Sequence, residues 1–167
     1  MGRIDEFLSM ILEKRVGFKA DEIMSGTHHF VGGAGPEGES PMEFRVTWGH
    51  PRLDHFLSPL REDFLVSDLA GTVTVGGLCI NAPCRGRLEM RYLQEAKLRY
   101  VFDFEHDGKQ YHYVGEKRDL RPWNLHRTHT TCYGRLVEVG SGKLVSESVT
   151  HFRLCTAPAF VASFRLA

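Results

Sequence analysis

The sequence predicts a mainly β fold, an antiparallel barrel preceded by one amphipathic helix. Three observations predict it. From Phe44 onward apolar and polar residues alternate with a period of two. Turn signals at Asp107-Gly108 and Gly140-Ser141-Gly142 separate the alternating runs. Glycines at 71, 76 and 77 fall in or beside strand-like segments, where they relieve the crowding of a strongly curved sheet.

Ile4, Phe7, Leu8, Ile11 and Leu12 recur at helical spacing, with Asp5, Glu6, Glu13 and Lys14 on the other side, so residues 1–17 form the helix and 18–167 the barrel of a single domain. The mixed charge of the polar face favours a lid or a dimer contact over a membrane surface. Gly32 to Pro41 is the one flexible-looking piece. Phe44 to Trp48 is a strand, and Pro51 to Leu65 breaks the period for a short helix or covering loop. Leu69 to Ile80 reads as one strand with Val73, Val75 and Cys79 on a face, and Arg87 to Tyr92 as another. Leu98, Tyr100, Phe102 and Phe104 line one face of the next strand, and Tyr111, Tyr113 and Lys117 one face of its hairpin partner, with His112 and Glu116 opposite. A last hairpin joins Thr128–Val139 to Leu144–Leu154. One helix followed by many short antiparallel strands is the pattern of a calycin-like or lipocalin-like barrel, whose interior holds a small apolar ligand or is filled by its own side chains.

Composition narrows the function classes. The 167 residues carry 21 basic and 21 acidic side chains and are 42% hydrophobic, so the chain can bury roughly 70% of its unfolded surface and needs no metal or disulfide for a core. Zero net charge argues against a nucleic-acid partner. No apolar run is long enough to cross a bilayer, and MGRIDEFLSM places acids where a signal peptide would be apolar, which predicts a cytoplasmic chain. Cys79, Cys84, Cys132 and Cys155 lie scattered in apolar runs and are expected to be reduced.

The motifs that could carry chemistry are few. Gly33-Ala34-Gly35-Pro36-Glu37-Gly38 has the dinucleotide spacing, but Pro36 and Pro41 lead into a strand and not into a helix N-terminus, so no nucleotide cofactor is expected. The pairs His28/His29, His50/His55 and His126/His129, and the Cys79/Cys84 pair, lack partners at metal-ligand spacing, and no metal is expected. No nucleophile elbow is present. The polar stretch Tyr111–Arg118, Arg121–Asn124 and His126–Thr131 remains. Its charged run Glu116-Lys117-Arg118 reads either as a solvated rim or as a barrel mouth where Lys117, Trp123 and His129 meet a ligand.

The runs Glu22-Ile23-Met24-Ser25-Gly26, Phe44-Arg45-Val46-Thr47, Leu53-Asp54-His55-Phe56-Leu57 and Gly115-Glu116-Lys117, with Trp123 before Thr128–Thr131 and Ser163-Phe164-Arg165, resemble an accessory domain of cholesterol-oxidase-like members of the glucose-methanol-choline oxidoreductase family. The resemblance runs from residue 18 onward and lacks the flavin-binding core. It implies a barrel companion to lipid or sterol chemistry, an oxidoreductase partner, no oxidase activity of this chain, and Met24, Gly26, Lys117, Trp123 and Thr130 as positions to examine. Adding Tyr113 and His129 from the mouth reading completes the candidate ligand-binding set. The leading expectation is a barrel that binds a fatty-acyl or sterol-like molecule. The alternatives are an acid–base enzyme using His112, His129 or His151 with Glu116 or Lys117, and a filled-barrel interaction subunit that uses the helix face of Phe7 and Ile11.

Overall fold

The computed structural model describes residues 4, 5, 9, 16–121, 123, 124, 130–152, 165 and 166. Eight strands carry the architecture: β1 (Phe18–Phe30), β2 (Glu39–His50), β3 (Val66–Val75), β4 (Cys79–Arg91), β5 (Lys97–His106), β6 (Lys109–Lys117), β7 (Thr131–Glu138) and β8 (Lys143–Phe152). Each pairs antiparallel with its neighbour in sequence, and β1 pairs with both β2 and β8, which closes the sheet into an up-and-down barrel. A two-residue β9 (Arg165–Leu166) adds to β1 at Phe18 and Lys19, beyond the end of β8. Closure gives each of the eight strands a neighbour on both sides, where an open sheet of this length would expose two edges.

Local chemistry explains most elements. The β5–β6 hairpin turns at Asp107 and Gly108, both left-handed at φ 49° and 72°, the conformation that Asp-Gly tolerates best. The 51–65 connection contains a one-turn helix, α1 (Leu53–Phe56), and a second one-turn helix, α2 (Tyr92–Glu95), links β4 to β5. The reading of 69–80 as one strand is corrected. Gly76, Gly77 and Leu78 form a turn, Gly77 at φ 81°, so Val73 and Val75 belong to β3 and Cys79 opens β4. All three still face the core, because the turn is short and the register shifts by one residue at Val73/Val75. The strand β1 is a further difference from the sequence expectation, in which the alternation begins at Phe44. The N-terminal helix falls almost wholly outside the described residues, although Ile4, Asp5 and Ser9 have helical backbone and exposed side chains. Phe7 and Ile11 lie outside them.

The waist of the barrel is solid. Phe44, Tyr100, Phe102, Tyr113 and Met24 have no exposed surface, and the Phe44 ring centroid stands 5.3, 5.5 and 5.7 Å from those of Tyr100, Phe102 and Tyr113. Phe102 stacks on Tyr113 at 4.6 Å. Gly115 and Gly134, directly paired across β6 and β7, make room for the Tyr113 ring: a Cβ on Gly134 would lie 2.2 Å from the Tyr113 hydroxyl oxygen. The interior is therefore divided into two ends by packed aromatic rings.

Candidate functional site

The two ends differ in their connections. The tight turns 76–78, 107–108 and 139–142 lie at one end with the 31–38 loop, and the longer connections 51–65 and 92–96 lie at the other, where the chain also leaves β6 at 118 and enters β7 at 130. At the tight-turn end His28, the one fully buried imidazole among the described residues, donates from Nε2 to the Gly76 carbonyl at 2.8 Å and accepts at Nδ1 from the Ser146 hydroxyl at 2.8 Å. Burial holds its pKa below the ordinary 6.5, against the opposing bond to Gly76 and helped by His29. Because the folded state resists the proton that the unfolded chain accepts, the His28 contribution to stability is present above pH 6.5 and is lost as pH falls below it toward the folded value. His28→Gln is expected to flatten the acid side of a melting-temperature profile begun at pH 7.5. An unchanged acid slope would contradict this assignment.

At the long-connection end the inner face carries a charged cluster. Glu22 of β1 and Lys117 of β6 are 6% and 3% exposed, and Lys117 Nζ donates to Glu22 Oε1 at 3.0 Å. The Tyr100 hydroxyl donates to the same oxygen at 2.8 Å, and Trp48 Nε1 donates to Glu22 Oε2 at 3.1 Å. The Lys117 ammonium also lies 5.3 Å from the Tyr100 ring centroid and 6.0 Å from that of Phe152. Burial, reinforced by the Glu22 charge, pushes the Tyr100 phenol well above its ordinary range and that of Tyr92 up to about 12, so both hydroxyls stay protonated. Phe18, Met90, Tyr92 and Phe152, at this end of their strands and connections, are partly buried against the core.

Period two places these groups. Lys117 sits two and four residues after Gly115 and Tyr113, on the inner face of β6, while Glu116 and Arg118 reach outward. The solvated-rim reading of the charged run therefore holds for its two flanks and is corrected for Lys117. Glu22 alternates inward with Ala20 and Met24 on β1. The sequence alone assigns Glu22 no role; the signal for its inward position is the flanking pair Ala20 and Met24 at spacing two.

The remaining sequence candidates scatter. Met24 and Tyr113 are sealed in the waist, the latter with its hydroxyl 3.4 Å from Ser148 Oγ. Gly26 packs its backbone against the Val149 carbonyl. Thr130 is half-buried, and its carbonyl accepts from the Phe152 N–H at 2.8 Å. Trp123 is 73% exposed, with the Arg121 guanidinium 5.8 Å from its ring. His129 lies outside the described residues, as do His126 and Cys155. Of the candidate set, only Lys117 enters the cluster among the described residues.

The histidines of the acid–base alternative stand elsewhere. His112 is on the outer face, 2.6 Å from Asp103, and His151 contacts the Thr131 hydroxyl at 3.1 Å. Cys79, Cys84 and Cys132 are buried free thiols, and burial raises Cys84 and Cys132 to about 12, far from a reactive thiolate. No group of three metal-ligating side chains occurs among the described residues. No protein-family model, curated protein or solved structure matches the chain. Among the described residues no helix is long and apolar enough to cross a membrane.

Outside the barrel, a groove of about 600 Å³ lies between the 57–66 segment and the end of β4. Its arginines are already engaged. Glu89, 6% exposed, receives Arg87 at 2.6 Å and Arg91 at 2.8 Å, with Arg99 at 3.4 Å, and Arg61 is held by Asp63 at 2.8 Å.

Proposed function

We propose that the barrel binds a small amphipathic molecule, fatty-acyl or sterol-like, at its long-connection end, with the Glu22–Lys117 cluster as the polar anchor. The observation that carries the reading is an ion pair withdrawn from water at the end of a barrel whose waist is closed by aromatic packing. A buried ion pair is a poor source of stability, since two desolvated charges cost about as much as their attraction returns. Titratable groups gathered in a water-poor site of this kind are candidates for binding or reaction. The packed aromatic waist supports a site at one end over a ligand threaded through the whole barrel. The resemblance of the sequence motifs to a domain that accompanies sterol-oxidising enzymes agrees with a lipid-type ligand and with an oxidoreductase as partner.

Trp48, whose indole N–H rests on Glu22, supplies the reporter. Trp123→Phe removes the only other tryptophan, an exposed one, and should leave the fold intact. In that background a panel of medium-chain lipids and sterols is expected to contain a compound that changes Trp48 emission and raises the melting temperature. At 100 times its Kd such a ligand stabilises the native state by about 2.7 kcal/mol. A panel that moves neither signal would leave the filled barrel as a structural unit and reject the proposal.

A further inference from the structure

The charge count of the same cluster defines the polar end of its ligand. Glu22 and Lys117 are the only buried charged side chains on the inner face among the described residues, and they neutralise one another. The donors are nevertheless not all served. An ammonium has three N–H donors, and Lys117 gives one to Glu22, while its other neighbours include the faces of Tyr100 and Phe152 and the Cys132 thiol, none of them a strong acceptor. Its side chain is only 3% exposed, so water does not readily serve the other two. On the inner face at the same end of β3, the Ser67 hydroxyl is fully buried and has no hydrogen-bond partner. Buried polar groups without partners are unfavourable, and since the ammonium can only donate, a ligand that provides an acceptor relieves that cost at Lys117.

Resting on the binding reading above, we propose that this site recognises a neutral hydrogen-bond acceptor, the carbonyl of an ester or ketone or an alcohol oxygen, carried on an apolar body, and discriminates against a carboxylate. A carbonyl oxygen accepting from Lys117 Nζ gains a charge-assisted bond and leaves the buried charge at zero. A carboxylate in the same place accepts the same proton but stands beside Glu22, which already holds that ammonium at 3.0 Å. It also has to leave its own hydration for a site whose positive charge is spent. Glu22 therefore acts as a specificity residue. It holds Lys117 in place and cancels the attraction that a lone buried lysine would exert on every acid.

The test compares one chain length with three end groups, decanoate, methyl decanoate and decan-1-ol, at pH 8, read by Trp48 emission and melting temperature in the Trp123→Phe background. The ester or the alcohol is expected to bind at least tenfold more tightly than decanoate. Glu22→Gln keeps the size of the side chain and an acceptor oxygen but removes its charge, and should invert the order, with decanoate raising the melting temperature of the variant. Decanoate binding the Glu22 protein as tightly as the neutral compounds, or an unchanged order in Glu22→Gln, overturns the inference while leaving lipid binding in place. Failure of all three and of the wider panel overturns the binding reading itself. The comparison in the protein that retains Glu22 decides the matter if Glu22→Gln does not fold.

Discussion

Glu22→Ala is expected to lower the melting temperature by roughly 6–20 °C, from a loss of about 3–5 kcal/mol when one partner of a buried pair is removed and about 2–4 °C per kcal/mol in a domain of this size. The cause is what remains behind. Lys117 keeps a charge at 3% exposure without its counter-ion, and the Tyr100 hydroxyl and Trp48 N–H lose the carboxylate that accepts both. The double substitution Glu22→Leu/Lys117→Met removes both charges and restores apolar volume, so it should recover most of the loss. Thermal denaturation followed by circular dichroism gives the coupling directly. A single-variant loss below about 1 kcal/mol would mean that water reaches the pair.

The second large effect belongs to the waist. Phe44→Ala removes the ring that touches Tyr100, Phe102 and Tyr113 together and should cost about 3–5 kcal/mol, from lost transfer energy and the cavity left between rings that cannot close over it. Such a cavity is apolar and should accept benzene or xenon, which would restore part of the lost stability. A cost below about 1.5 kcal/mol would mean that the waist collapses around the missing ring. The two variants also separate the ends functionally. Phe44→Ala weakens the partition, whereas Glu22→Ala alters the polar anchor.

How far the sequence revealed these features depends on the range of the interaction behind each. Asp107-Gly108 announced its hairpin because the backbone conformation required there is a property of two residues. Leu98, Tyr100, Phe102 and Phe104 announced the inner face of β5 because four successive inward positions are apolar. The strand β1 was missed as an element for the converse reason. Its inward residues run Ala20, Glu22, Met24, Gly26, His28, Phe30, so an acid, a glycine and an imidazole interrupt the hydrophobic alternation. Lys117 is instructive: its period-two position beside Tyr113 placed it inward, while the adjacent Glu116 and Arg118 made the same tripeptide look solvated. Period was the better guide, because the pleat alternates faces whatever the side chains are.

By itself the sequence determined the local terms: that most runs after Phe44 are strands, where most of them turn, and which residues of each share a face. Those follow from backbone sterics and from the burial of apolar side chains within a few residues. Only the tertiary structure decided that β1 closes the sheet by pairing with both β2 and β8, that the waist is solid, and that Glu22 meets Lys117 across 95 positions of sequence. A carboxylate and an ammonium this far apart carry no mutual signal in composition or spacing. They become a pair when closure brings their inner faces together and excludes the water that would otherwise keep each charge independent.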